Sequence, residues 1–353
     1  MLTCLRRSAQ KVNSFGRRTI SSRRLVYENF GDPAKAILLQ QYDLPKKLEN
    51  KSVHVKWLGT PINPADINQI QGVYPIKPPM PAVGGSEGYG QIEAIGTEVR
   101  SLKVGDHVIP AKSGLGTWCS DAYLSELDVF KIDASLPSTS KATLQVNPPT
   151  AYRMLTDFVV LKEGDTIIQN GANSAVGQAV VQICRARGIK SVNIVRKRET
   201  PDAQKKLEEH MKSLGADLVI TEEQLIKEYR GKFNPSLALN CVGGRSALLL
   251  AMALDHNGVM VTYGGMSKQP LSIPTGPLIF KDIKLCGFWM SRWYENKDNV
   301  KERVMMYEQL GEWIKTGKFH PPQLVARKLE EHQLALEKAQ TDHSCKQFFV
   351  PND

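Results

Sequence analysis

Residues Asp165–Gly188 read DTIIQNGANSAVGQAVVQICRARG. A short apolar run ending in Gln169 gives way to small residues, Gly171, Ala172 and Ser174, and then to a helix pattern closed by Gly188. A strand that turns this sharply into a helix gathers backbone N–H groups and the positive end of the helix dipole at one point, where a pyrophosphate binds well. The strict GxGxxG spacing is broken, because Ala172 and Ser174 occupy its first two glycine positions. Both are small, and Gly177 keeps the third position, where helix meets strand. The stretch predicts the first corner of a dinucleotide-binding sheet.

The rhythm continues downstream. SVNIV (191–195), DLVI (217–220), LALNCV (237–242) and GVMVTYGG (258–265) are strand-like, and PDAQKKLEEHMKSLG (201–215) and RSALLLAMALD (245–255) are helical. This alternation predicts an α/β, doubly wound parallel sheet of Rossmann type. A carboxylate at the end of the second strand would favour NAD by accepting from the ribose hydroxyls. Here the residues are Arg196, Lys197 and Arg198. Cationic groups bond a 2′-phosphate with charge assistance, at about 1.5–3 kcal/mol each, so the expected cofactor is NADPH.

From Leu25 to about Lys141 the pattern changes to short strands such as SVHVKWLG (52–59), GYGQIEAIG (88–96) and DHVIPA (106–111) between Gly/Pro turns, which reads as a partial β-barrel. PPTAYRMLTDFVVL (148–161) reads as a helix started by prolines. After Trp289 come a long amphipathic helix in residues 297–317, a strand in QLVARKL, a helix in EEHQLALEKAQ and a closing strand KQFFV. A terminal strand needs a sheet to join. The simplest arrangement makes the first domain discontinuous, residues 25–146 and 290–353, around an inserted cofactor domain at 147–289.

The net charge of +10 is unevenly placed. Residues 1–24 hold seven Lys and Arg and no acid, leaving 39 basic against 36 acidic residues in the rest. An Arg- and Ser-rich, acid-free start reads as a mitochondrial transit peptide, and the near-neutral body argues against a nucleic-acid partner. No apolar run approaches membrane-spanning length, so no membrane partner is expected. The six cysteines are scattered without a CxxC and fit a reducing compartment.

NPADINQIQGVYP (63–75), PAVGGSEGYGQI (81–92), VNPPTAYRML (146–155), NSAVGQ (173–178), YGGMS (263–267), GFWMSRW (287–293) and CKQFFV (345–350) carry a resemblance along nearly the whole chain after residue 25. Together they resemble the zinc-less branch of the medium-chain dehydrogenase/reductase superfamily, and within it the mitochondrial 2-enoyl thioester reductases. The resemblance implies a GroES-like catalytic domain, NADPH-dependent reduction of enoyl-CoA or enoyl-acyl-carrier-protein in fatty acid synthesis, and a homodimer. Zinc relatives place histidine where Ser86 stands and a cysteine ahead of the early Asp, which NPADIN lacks. A catalytic zinc needs three protein donors, so no metal is expected.

In place of a metal, the resemblance assigns proton donation to Tyr74. A phenol with an ordinary pKa near 10 keeps its proton at mitochondrial pH. The resemblance also implies that Asn173, Ser174, Ala175 and Val176 cover the pyrophosphate, that Asn147 contacts the nicotinamide side, that Tyr263, Gly264, Gly265 and Met266 bind at a strand's C-terminal edge, and that Lys346 reaches the cofactor from the last strand. Phe288, Trp289 and Met290 would offer backbone groups to the carboxamide, with Trp289 also walling the acyl pocket. Two alternatives remain at this point: an NADPH quinone reductase of the same fold, and a non-catalytic NADPH-binding protein.

Overall fold

The computed structural model describes residues 20–342 and 345–352. Its central feature is a six-stranded, all-parallel sheet built from Thr166–Gln169, Lys190–Ile194, Leu218–Ile220, Leu237–Asn240, Val259–Thr262 and Lys284–Gly287. In space the third strand lies outermost, followed by the second, first, fourth, fifth and sixth. The order reverses between the first and fourth strands, the point where such sheets open a crevice for ligands. The expected DTIIQN strand and its helix, Ala175–Ala186, sit at this point.

Helices cover both faces. Val180, Ile183 and Cys184 of Ala175–Ala186 pack with Met154 and Leu155 of Asn147–Asp157 against Ile167, Leu237 and Val261. Leu250, Ala251 and Leu254 cover the opposite face over Ile168, Ala238 and Met260. Strands buried on both sides read as continuous apolar runs, which is why these segments stood out in the sequence. The prolines expected to open a helix at 148 do so, but the helix ends at Asp157, short of Leu161. Phe158 then turns edge-on to Phe288, with ring centroids 5.9 Å apart.

The strand-rich portion curls around Ser52–Pro61, which pairs antiparallel with Tyr89–Ile95, Asp121–Ser125 and Lys346–Phe349. The chain's last strand therefore adds to the first strand-rich region, with Phe349 opposite Thr60. Between them the helix Val300–Lys315 is tied to this sheet by Arg303. That buried guanidinium donates to the carbonyls of Ala111 (2.9 Å) and Pro110 and lies over the rings of Phe130 and Tyr294.

The expected leader overlaps this fold. Residues 1–19 lie outside the described residues, but Ser21–Tyr27 is a strand paired with Leu38–Asp43, and Ser22 is buried. The last four residues of the expected 1–24 leader, Ser21–Arg24, therefore form part of a strand. The helix Thr275–Phe280 and the edge strand Lys284–Gly287 have no counterpart in the sequence reading. Their apolar side chains Ile279, Phe280 and Leu285 are exposed.

Gly177 holds the corner shut. A Cβ there would stand 2.4 Å from the Ala172 carbonyl oxygen, so the helix approaches its own turn more closely than any side chain allows. Gly177→Ala is expected to lower unfolding free energy by about 1–3 kcal/mol; an unchanged urea midpoint would contradict this close approach.

Candidate active site

The reversal point opens into a cleft of about 1020 Å³ between the parallel sheet and the strand-rich region. Asn173, Ser174, Ala175, Arg196, Lys197, Arg198, Met266 and Lys346 line it, bringing together residues separated by up to 173 positions. Ser174 caps the 12-residue helix by accepting from the Gly177 N–H at 3.1 Å. The helix thus presents its positive end to the cleft. Val176 instead turns toward the core beneath.

The floor is held by an amide ladder that the sequence reading missed. Asn170 Nδ2 donates to Asn240 Oδ1 (2.8 Å) and Ser246 Oγ (3.1 Å), while Asn170 Oδ1 accepts from the Cys241 N–H (2.8 Å). Asn240 Nδ2 continues to Thr262 Oγ1 at 3.1 Å. Three strand ends are locked in register where a ligand approaches. Asparagine at a strand's last residue was the available signal.

The basic triplet is more varied than its sequence. Arg196 and Lys197 are exposed and Arg198 is half-buried, with its N–H tied to Gln204 Oε1 at 3.1 Å. Lys197 shares its charge with Glu223 at 3.8 Å. Arg245, at the start of the opposite helix, adds a cation to the same wall.

Tyr74 follows the helix Pro64–Ile70 on a loop whose backbone bonds return to the Asn68 carbonyl. Its hydroxyl accepts from Trp289 Nε1 at 3.1 Å, and the rings meet edge-on with centroids 6.5 Å apart. Burial pushes the phenol's pKa above its ordinary value, partly offset by the indole N–H. An indole nitrogen only donates, so the tyrosine's own hydrogen stays available to another acceptor. Phe288 and Trp289 are half-buried, whereas Met290 is buried in the core, so its side chain is not part of a cleft wall.

The buried Asn147 Nδ2 has no hydrogen-bond partner among the described residues, while the buried Tyr263 hydroxyl faces Ser174 and Cys241; neither residue is among those lining the cleft. An orphaned buried amide is costly unless a ligand satisfies it. The helix end and the basic wall fit the phosphate groups of a dinucleotide. Gly264 and Gly265 follow Tyr263 past the strand end.

Between the cleft and Tyr74 lies a buried polar cluster. Asn63 Nδ2 donates to Glu87 Oε2 (2.8 Å), Lys346 Nζ donates to Asn63 Oδ1 (2.5 Å), and the Val146 N–H donates to Glu87 Oε1 (2.8 Å). Asp66 accepts from the Asn63 N–H at 2.8 Å, and burial raises its pKa to about 6. Gly85, at φ +90°, lets the chain pass beneath Trp118, where a Cβ would lie 2.4 Å from Cδ1. That turn delivers Ser86 and the fully buried Glu87 to this cluster.

Comparison with known proteins agrees with this geometry. The alcohol dehydrogenase GroES-like domain matches residues 49–132, and the zinc-binding dehydrogenase family matches residues 175–305. The chain is 55% identical to the mitochondrial enoyl-[acyl-carrier-protein] reductase of Caenorhabditis elegans, over 94% of this chain and 96% of that protein. It is 48% identical to the human protein of the same name, over 89% and 84%. Among solved structures, the Etr1p/NADP/crotonyl-CoA complex superposes with a TM-score of 0.85 at 34% identity, covering 94% of this chain and all of that one. A Bacillus thuringiensis structure described as a NADPH:quinone reductase reaches a TM-score of 0.82 at only 22% identity, which shows the shared fold. The chain belongs to the mitochondrial enoyl-[acyl-carrier-protein] reductase family, within the medium-chain dehydrogenase/reductases.

Proposed function

We propose that this chain is an NADPH-dependent 2-enoyl thioester reductase that saturates enoyl-CoA or enoyl-acyl-carrier-protein in mitochondrial fatty acid synthesis. The observation that carries the reading is the Tyr74 hydroxyl, held by Trp289 Nε1–H within electrostatic reach of Asp66, next to the cluster whose Lys346 lines the cleft. Saturation of a conjugated thioester needs a hydride at Cβ and a proton at Cα. NADPH, when bound, supplies the hydride.

The chain's residues supply the rest. Ser174 and the helix it caps receive the pyrophosphate, Arg196 and Arg198 receive the 2′-phosphate, and Asn147 and Lys346 hold the nicotinamide end. Tyr74 donates its proton to Cα. Burial keeps that proton from leaving to water beforehand, and Trp289 Nε1–H remains to stabilise the phenolate afterward. The half-buried indole of Trp289 also excludes water from one side of the reacting carbon.

Assembly follows from the exposed edge. Leu285 lies 42% exposed on the open edge strand, and Phe280 is 73% exposed just before it. An unprotected edge with apolar side chains invites pairing with a second copy. A solved relative is described as the Etr1p/Etr2p heterodimer of Candida tropicalis. The reading here is a homodimer joined along this edge.

Tyr74→Phe is expected to lower kcat by about 10²–10⁴ with NADPH affinity retained. Because the phenol's pKa lies above its ordinary value, the donor stays protonated and kcat of the unmodified enzyme shows no deprotonation limb below about pH 9. An active Phe variant removes Tyr74 from the mechanism. Arg196→Asp is expected to cost about tenfold or more in NADPH affinity while sparing NADH; equal use of both cofactors by the unmodified enzyme refutes the assignment. Light scattering of Leu285→Lys should show monomers, and a persistent dimer would move the interface elsewhere.

A further inference from the structure

The Asn63–Glu87–Lys346 cluster joins three chain segments far apart in sequence. Glu87 is fully buried, and both of its oxygens accept from N–H groups: Asn63 Nδ2 at 2.8 Å and Val146 N at 2.8 Å. Accepting from two N–H groups favours the carboxylate form while burial pushes the acid's pKa above its ordinary value, so the charge here calls for a compensating cation.

The cation available is Lys346, one step removed. Its ammonium donates to Asn63 Oδ1 at 2.5 Å while lining the cleft. Asn63 is thus read at both ends of its amide: oxygen toward the ammonium, nitrogen toward the carboxylate. Its orientation is forced, because a flipped amide would set an NH₂ against the ammonium and an oxygen against the carboxylate. Glu87 at once fixes the amide, aims the ammonium, and anchors the backbone next to Asn147. Burial lowers the Lys346 pKa below its ordinary value, and the charges of Glu87 and Asp66 oppose that shift.

We infer that Glu87 is a positioning residue for NADPH binding: through Asn63 it aims the Lys346 ammonium at the cofactor, and through the Val146 N–H it sets the start of the helix that carries Asn147. This places a fixed ammonium, balanced by a buried carboxylate, in the region where zinc relatives keep their metal. It rests on the reading of Lys346 as a cofactor contact, and adds a residue that does not itself line the cleft.

A double-mutant cycle on the full-length protein tests it, with NADPH dissociation constants measured by nucleotide fluorescence and folding checked by thermal unfolding. Glu87→Gln keeps shape but presents an NH₂ to one of the two N–H donors, and should weaken NADPH about tenfold. Lys346→Met should weaken it by a similar factor. Combined, they should fall well short of the product of the single effects, since both act through one ammonium. Glu87→Asp, which keeps the charge, should recover part of the loss. If Glu87→Gln does not fold, Asn63→Ala replaces it in the same cycle. Fully multiplicative effects, or unaltered binding in Glu87→Gln, overturn the positioning role while leaving Lys346 as a contact. Unaltered binding in Lys346→Met overturns that contact and the inference with it.

Discussion

The pairing of the last strand, Lys346–Phe349, with Ser52–Pro61 is the constraint on which the rest depends. Phe349 has no exposed surface and meets Trp118 edge-on with centroids 5.4 Å apart, so the chain's end is sealed into the first strand-rich region. Burial of an aromatic pair of this kind contributes a few kcal/mol. One consequence is architectural: the strands of the parallel sheet lie, in chain order, between two segments that pair with each other. The other is chemical. The residue that opens this strand, Lys346, arrives beside Asn63 although 283 positions separate them.

The cleft that results draws its two walls from elements with different tasks. The parallel sheet supplies rigid strand ends, pinned by Asn170 and Asn240, and a helix end that favours negative charge. The strand-rich side supplies the polar chemistry: Tyr74, the Glu87 cluster and the turn at Gly85 that passes under Trp118. Trp289 crosses from the far end of the sheet to hold the tyrosine. The proposed proton donor and the cleft are therefore positioned by separate parts of the fold, and the Tyr74–Trp289 hydrogen bond joins them.

Around Ser86, where zinc relatives would place a histidine, the fold gathers a fixed arrangement of protein charges. In the proposed reaction a phenol raised above its ordinary pKa is a reluctant acid in the resting site, which favours transfer only when a carbanion-like carbon is present. The indole N–H that remains on the oxygen offsets the cost of the phenolate. An ammonium, an amide and a carboxylate are hydrogen-bonded in series at the edge of the cleft. Such a network is rigid when complete and costly when broken, which suits a site that must hold two reactants in register.

Much of this was legible in the chain. The alternation of apolar strands and helices across residues 165–265 names a parallel sheet, because strands buried on both faces must be apolar throughout. The NSAVGQ corner and the Arg196–Arg198 run mark a phosphate site through size and charge alone. The absent histidine at Ser86 bears on a metal site directly. What the chain could not display were relations across space. Nothing near Glu87 in sequence indicates that it is buried, or that it reads an amide bonded to Lys346. The Tyr74–Trp289 bond spans 215 positions, residues 21–24 of the strand Ser21–Tyr27 fall within the expected leader, and the edge strand that carries Leu285 has no counterpart in the sequence reading. Local patterns record what each residue needs from its own element; which partner meets that need is decided only when distant elements pack.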